Sequence, residues 1–197
     1  MLNFLKKSIF GFMKLSDVLY NKFILKYKKV SYDSYPTIHG KIFIAGGGKL
    51  KLGKGVAFNS GKYSNPIGGD LRMTIGVSKN ALLEIGDYTG MSNSAIICHE
   101  HIKIGSYVKV GGNVKIYDTD FHSLDPIERS NPKTDVGKTK PVLIGDYCFI
   151  GAHSILLKGI TIGDKSIIGA GSVVAKSIPE GEIWGGNPAK FIKKINT

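Results

Sequence analysis

The stretch Tyr117-Asp118-Thr119-Asp120-Phe121-His122-Ser123-Leu124-Asp125 gathers three carboxylates around one imidazole. An imidazole changes charge near neutrality, so it can take a proton from a hydroxyl and give it back within one reaction. The chain has five histidines, and His122 is the one inside this polar stretch. His99 and His101 flank Glu100 with a metal-like look, and His153 stands where side chains point outward. No Gly-x-Ser-x-Gly elbow is present to supply an enzyme nucleophile. Cys98 and Cys148 show neither metal-ligand spacing nor a disulfide framework, which fits a reducing cytoplasm.

A strict ruler surrounds the stretch and must position it. Ile104, Val110 and Ile116 fall six apart, and Ile144, Ile150, Leu156, Ile162, Ile168 and Val174 do the same. Within these hexads the second position favours Gly, and the fifth is small at Cys148, Ser154, Ser166 and Ser172. A period of six is wrong for a helix, whose faces repeat every 3.6 residues. It suits one flat side of a triangular coil, with the aliphatic residue inside and Gly at the turn. Three sides make a coil, and stacked coils pair as parallel strands about 4.8 Å apart. Ile85, Met91 and Ile97 carry the pattern upstream, where it slips by one around Cys98–His101. Residues 52–63 and 73–86 read as earlier coils separated by a loop near 65–70. The expected organisation is a prism over 38–180, an insertion at 117–143 bearing His122, and a capping tail or helix over 181–197.

Residues 1–37 differ in character. Leu5, Ile9, Phe12, Leu19 and Phe23 fall near one helical face, with Lys6, Lys7, Lys14 and Lys22 largely elsewhere. This reads as a basic amphipathic helix that packs over an end of the prism or a partner subunit, or that rests through residues 1–30 on an anionic membrane surface. Its apolar runs are too short for a signal-peptide core or a membrane span, so the expected location is cytoplasmic, with a possible peripheral place at the inner face of the membrane. The formal net charge of +12 invites a nucleic-acid reading. Arg occurs only as Arg72 and Arg129, however, and base readout favours the guanidinium fork, so no nucleic-acid partner is expected.

The hexads, together with "GAGSVVAKSIPEG", "GGNPAKFIKKI" and the His-bearing insertion, resemble the hexapeptide-repeat acyltransferases. The resemblance implies an all-β fold, a left-handed parallel β-helix, with an N-terminal α-helical segment and a short C-terminal tail or helix. It is closest in flavour to the sugar and polysaccharide O-acetyltransferases. It implies transfer of an acetyl group from acetyl-CoA to a sugar hydroxyl of a capsular or lipopolysaccharide glycan or its precursor, without an acyl-enzyme or a metal. It implies His122 as the base, with Asp118, Asp120 or a backbone carbonyl to orient it. Asn93 is implied in acceptor binding, although the local register also admits Ser92 or Ser94, and Asn also suits a coil corner. Phe149 stands where the family has a Trp beside the site. The CoA contacts carry over to Ala152, Ala170, Ala175, Lys176 and Lys193, with Lys190 and Lys193 where galactoside-type enzymes use Arg. A homotrimer with sites between prisms is implied as well. Rival readings are an acetyltransferase for a small acceptor (an amino sugar, nucleotide sugar, serine or antibiotic), a non-catalytic β-helix scaffold, and a metal-dependent enzyme like the carbonic anhydrases of this fold.

Overall fold

The structure, a computed structural model, describes residues 2–195, with side chains from Lys14 onward. The aliphatic ruler turns inward as its period requires. Ile144, Ile150, Leu156, Ile162, Ile168 and Val174 are all buried, and so are Ile104, Val110 and Ile116. Each such side chain contributes about 1.5–3 kcal/mol when taken fully from water. The small fifth positions, Cys148, Ser154, Ser166 and Ser172, are buried beside them.

The chain coils as a left-handed parallel β-helix with three faces. The first face runs from Ser31–Tyr32 through Lys49–Leu52, Leu82–Ile85, His101–Ile104 and Val142–Ile144 to Thr161–Ile162. The second runs from Thr37–His39 through Lys109–Val110 and Phe149–Ile150 to Ile167–Ile168, and ends in a hairpin. The third runs from Phe43–Gly46 to Val173–Val174. Beyond the insertion, register is set by an offset of one coil: Ile144 lies beside Ile162, Ile150 beside Ile168, and Leu156 beside Val174.

Corners between faces take left-handed backbone at stacked positions, where a single residue can turn the chain. Between the first and second faces these are Tyr88, Tyr107 and Tyr147, at φ of 55°, 59° and 59°. Their rings stack with centroids 5.1 and 4.9 Å apart. Asp side chains tie the same corner from coil to coil, Asp146 accepting from Ser106 N at 2.8 Å and Asp164 from Asp146 N at 2.8 Å.

Upstream the structure moves the slip in the ruler. Ile97 is only half-buried; Ile96 and Cys98 point inward instead, and Ile96 pairs with Ile116. The side from Met91 to Ile96 is short by one residue because Asn93, at φ 46°, turns the corner early.

Both ends of the prism are covered. Helix α1 (Leu2–Tyr27) lies over the first coil, where the amide of Asn21 donates to Gly40 O at 2.8 Å and accepts from Ile42 N at 3.2 Å. The helix ends in a Schellman turn: Val30 N donates to Leu25 O and Lys29 N to Lys26 O, with Lys29 at φ 50° and Leu25 and Val30 both buried. The docking face is thus that of Asn21 and Leu25. Leu19 and Phe23, on the apolar face read from the sequence, are exposed, and the side chains of Leu5, Ile9, Phe12, Lys6 and Lys7 lie outside the described residues. The C-terminal tail is a strand and not a helix: Lys190–Lys194 folds back antiparallel on Glu182–Gly185.

Candidate functional site

The insertion leaves the third face after Lys115–Tyr117 and returns to the first face at Val142–Ile144. It closes at its base through an antiparallel bridge between Thr119 and Thr139 and a bond from Lys140 N to Asp118 O at 2.9 Å. Its tip is built on a short helix, α2 (Pro126–Arg129). Asp125 caps that helix, accepting from Ile127 N at 2.7 Å and Glu128 N at 3.2 Å, with Pro126 in the first helical turn. Arg129 Nη1 donates to Ser123 O at 2.9 Å, and the Ser123 hydroxyl donates to Glu128 at 2.6 Å.

This scaffold holds His122 against Asp135. Nδ1 of His122 lies 2.6 Å from Oδ2 of Asp135, while Ser123 N donates to the other carboxylate oxygen at 2.8 Å. The His122 side chain is 67% exposed and that of Asp135 only 16%. The bond to His122 and then the Ser123 amide hold the Asp135 carboxyl below its ordinary range. An ionised carboxylate accepts a hydrogen bond but cannot donate one, so Nδ1 carries hydrogen, and in the neutral ring Nε2 is the nitrogen with the free lone pair. Gly137 lies against the backbone of this pair. A Cβ there would stand 2.6 Å from Phe121 N and 2.9 Å from His122 N.

Asp118 and Asp120, the orienting candidates from sequence, are engaged elsewhere. Asp118 is fully buried and accepts from the backbone amides of His99, Glu100 and His101 at 2.7, 2.8 and 2.8 Å, so it braces the turn between faces. Asp120 pairs with Lys158 at 2.7 Å and anchors the insertion to the coil beneath. Asp135 was missed because it stands thirteen residues from His122. A signal was present: an insertion must close at its base, so positions similarly far from its two ends face each other.

Asn93 is also committed to structure. It is 1% exposed; its amide donates to Asn65 O at 2.9 Å and Gly69 O at 3.3 Å and accepts from Gly61 N at 2.9 Å. Those bonds fasten the 60–72 loop and engage both hydrogens of the side-chain amide. Ser92 and Ser94 are buried beside it.

The remaining candidates fall in three places. Ala175 and Lys176 follow the last strand of the third face and so share the corner of the insertion. The one-coil offset of Leu156 and Val174 carries Lys158 onto Lys176. Phe149 is exposed on the second face, with Ala152 and Ala170 stacked at its far corner, Gly171 N donating to Ala152 O at 2.8 Å. Lys190 and Lys193 lie on the terminal strand. Within one chain the third face separates the Ala152–Ala170 corner from His122.

The other histidines diverge. His99 meets the Phe121 ring edge-on at 5.9 Å, His101 pairs with Glu84 at 3.1 Å, and His153 bonds Asn113 at 3.0 Å at a corner. Among the described residues no three His, Cys, Asp or Glu side chains are grouped to hold a metal ion. Burial pushes the thiols of Cys98 and Cys148 up to about 12 and about 11, so neither offers a thiolate.

Residues 141–176 match the family of the hexapeptide repeat of succinyl-transferase. A Dictyostelium discoideum protein named for acetyltransferase activity is 46% identical over 94 residues, 48% of this chain and 47% of that protein. The chain spans about half the length of the curated relatives it matches. A hexapeptide-repeat acetyltransferase of Vibrio cholerae, solved with acetyl-coenzyme A, is 31% identical over 58% of this chain and 61% of its own, with a TM-score of 0.54. A maltose O-acetyltransferase from Clostridium difficile is 26% identical over 95% of this chain and 86% of its own, with a TM-score of 0.56.

Proposed function

From the premise that this chain is a hexapeptide-repeat β-helix of the kind found in acetyltransferases, we propose that it moves an acetyl group from acetyl-CoA to a sugar hydroxyl of a glycan or its precursor. The observation that carries the reading is the His122–Asp135 pair, an imidazole held with Nε2 outward on an otherwise aliphatic prism. As the hydroxyl oxygen attacks the thioester carbonyl, Nε2 takes its proton. The tetrahedral adduct collapses with loss of the CoA sulfur, and the imidazolium returns the proton to that thiolate. The new C–O bond replaces the C–S bond, and no enzyme group is acylated. Support for a sugar acceptor comes from the maltose enzyme, whose likeness extends over nearly the whole chain.

The donor would lie along the coils, its pantetheine arm passing Ala152 and Ala170 and its phosphates meeting Lys176, Lys190 or Lys193. Ala175 and Phe149 would line the same path. Because the third face separates the Ala152–Ala170 corner from His122 of the same chain, the site is completed between copies, and a closed homotrimer supplies that arrangement. The exposed side chains of Leu124, Ile127 and Val136 on the insertion give the neighbouring copy an apolar surface to meet.

His122→Ala should lower turnover by about 10²–10⁴-fold in a free-thiol release assay over a panel of sugar acceptors, with CoA affinity by calorimetry unchanged. Full turnover in that variant would remove the proposed base. Sedimentation velocity should report a trimer, and a fully active monomer would remove the shared site.

A further inference from the structure

The side of α1 turned away from the prism is exposed along its described side chains. Leu15, Leu19, Phe23 and Tyr27 stand along it, Leu19 60% and Phe23 65% exposed, with Val18 beside them. Lys22 and Lys26 project from the same side, because positions three and four apart share a helical face. Next to it opens a groove of about 700 Å³, rimmed by Lys22, Lys26 and Lys29 over a floor of Leu25 and Val30. Tyr32 and Tyr35 close one wall, their rings edge to face at 5.9 Å.

We propose that this surface docks on an anionic phospholipid bilayer. The three lysines take phosphate headgroups at the groove, while Leu15, Leu19 and Phe23 enter the headgroup boundary. The charge of the segment favours that occupant: residues 1–30 hold seven lysines and a single acid, Asp17, which lies 3.7 Å from Lys41. Long lysine stems can follow the apolar surface and keep their ammonium groups at the phosphates. A second copy is a poorer fit. Two copies meeting through this side about a twofold axis would bring the Lys22 and Lys26 patches of both copies into one interface, a like-charge arrangement that opposes association. Spanning is excluded for the described helices, none of which is long and apolar enough to cross a bilayer. The inference stands apart from the acetyl-transfer chemistry, since none of these residues belongs to the His122 site.

The test is flotation of the full chain with vesicles of phosphatidylcholine alone and of phosphatidylcholine doped with phosphatidylglycerol. Binding is expected to the doped vesicles only, and to weaken with salt. Lys22→Glu/Lys26→Glu/Lys29→Glu should reduce it by about 10²-fold. Leu19→Ser/Phe23→Ser should reduce it by about tenfold or more with an unchanged sedimentation coefficient. The apolar pair and the lysines are exposed, so melting temperatures should stay near that of the parent chain. The proposal is overturned by absent binding to doped vesicles or by equal binding to both kinds. It is equally overturned if the serine variant loses sedimenting mass while still binding vesicles, which would show that a second copy covers this side.

Discussion

With Asp135 accepting the Nδ1 hydrogen of His122, the proposed base has a fixed tautomer before any substrate arrives. Asp135→Asn would keep the shape but let the ring reverse its tautomer. We expect kcat to fall on the order of 10²-fold, less than the loss seen in a buried triad, with donor KM little changed. The pH dependence follows from the direction of the Asp135 shift. A carboxyl lowered in the folded state contributes its hold above its unfolded pKa and loses it only as pH falls through the lower folded value. It therefore stays charged as pH falls through the ordinary carboxylate range, and Asp135 should add no proton to the acid limb of kcat/KM. A limb of slope two would mean that a second group must also be deprotonated. At this scale the sequence reveals His122, because a polar residue in an aliphatic ruler stands out by position. It does not reveal Asp135, whose pairing depends on how the insertion closes, nor the burial of Asn93, whose bonds go to a loop more than twenty residues away.

Among the elements, α1 shows how a period can be read from sequence while what each side meets cannot. The spacing of Leu19 and Phe23 does define one side of a helix, but that side faces away from the prism. The docking side carries a polar residue at its centre, Asn21, which a hydrophobic pattern cannot flag. Its amide is needed because the first coil has no neighbour to pair Gly40 O and Ile42 N. Asn21→Ala would leave those groups unpaired, a cost of about 1–3 kcal/mol. For a chain of this size that lowers the melting temperature by roughly 3–10 °C, measurable by circular dichroism. The hexads themselves are legible because each inward position must be aliphatic. The early slip at Asn93 is less so, since Ile96 and Ile97 are the same residue type and only the backbone decides which one turns in.

For the molecule as a whole, each coil buries its edge against the next, so stability accumulates along the axis and the insertion can hang from one corner without breaking the stack. Over residues 142–174 the coil-to-coil offset is the same on all three faces. Deleting residues 145–162 would join Ile144 to Gly163 and leave every later strand on its own face, with Lys176 arriving where Lys158 now meets Asp120. That variant should fold as a shorter prism with a single cooperative melt at lower temperature. Deleting only 151–156 would carry each later strand to the wrong face and should give insoluble protein. Soluble, cooperatively melting protein from the shorter deletion would show that the faces are interchangeable. Read genetically, the constant offset makes one coil the natural unit of inheritance. An in-frame gain or loss of a coil's worth of coding sequence lengthens or shortens the body while the insertion that bears His122 keeps its aim.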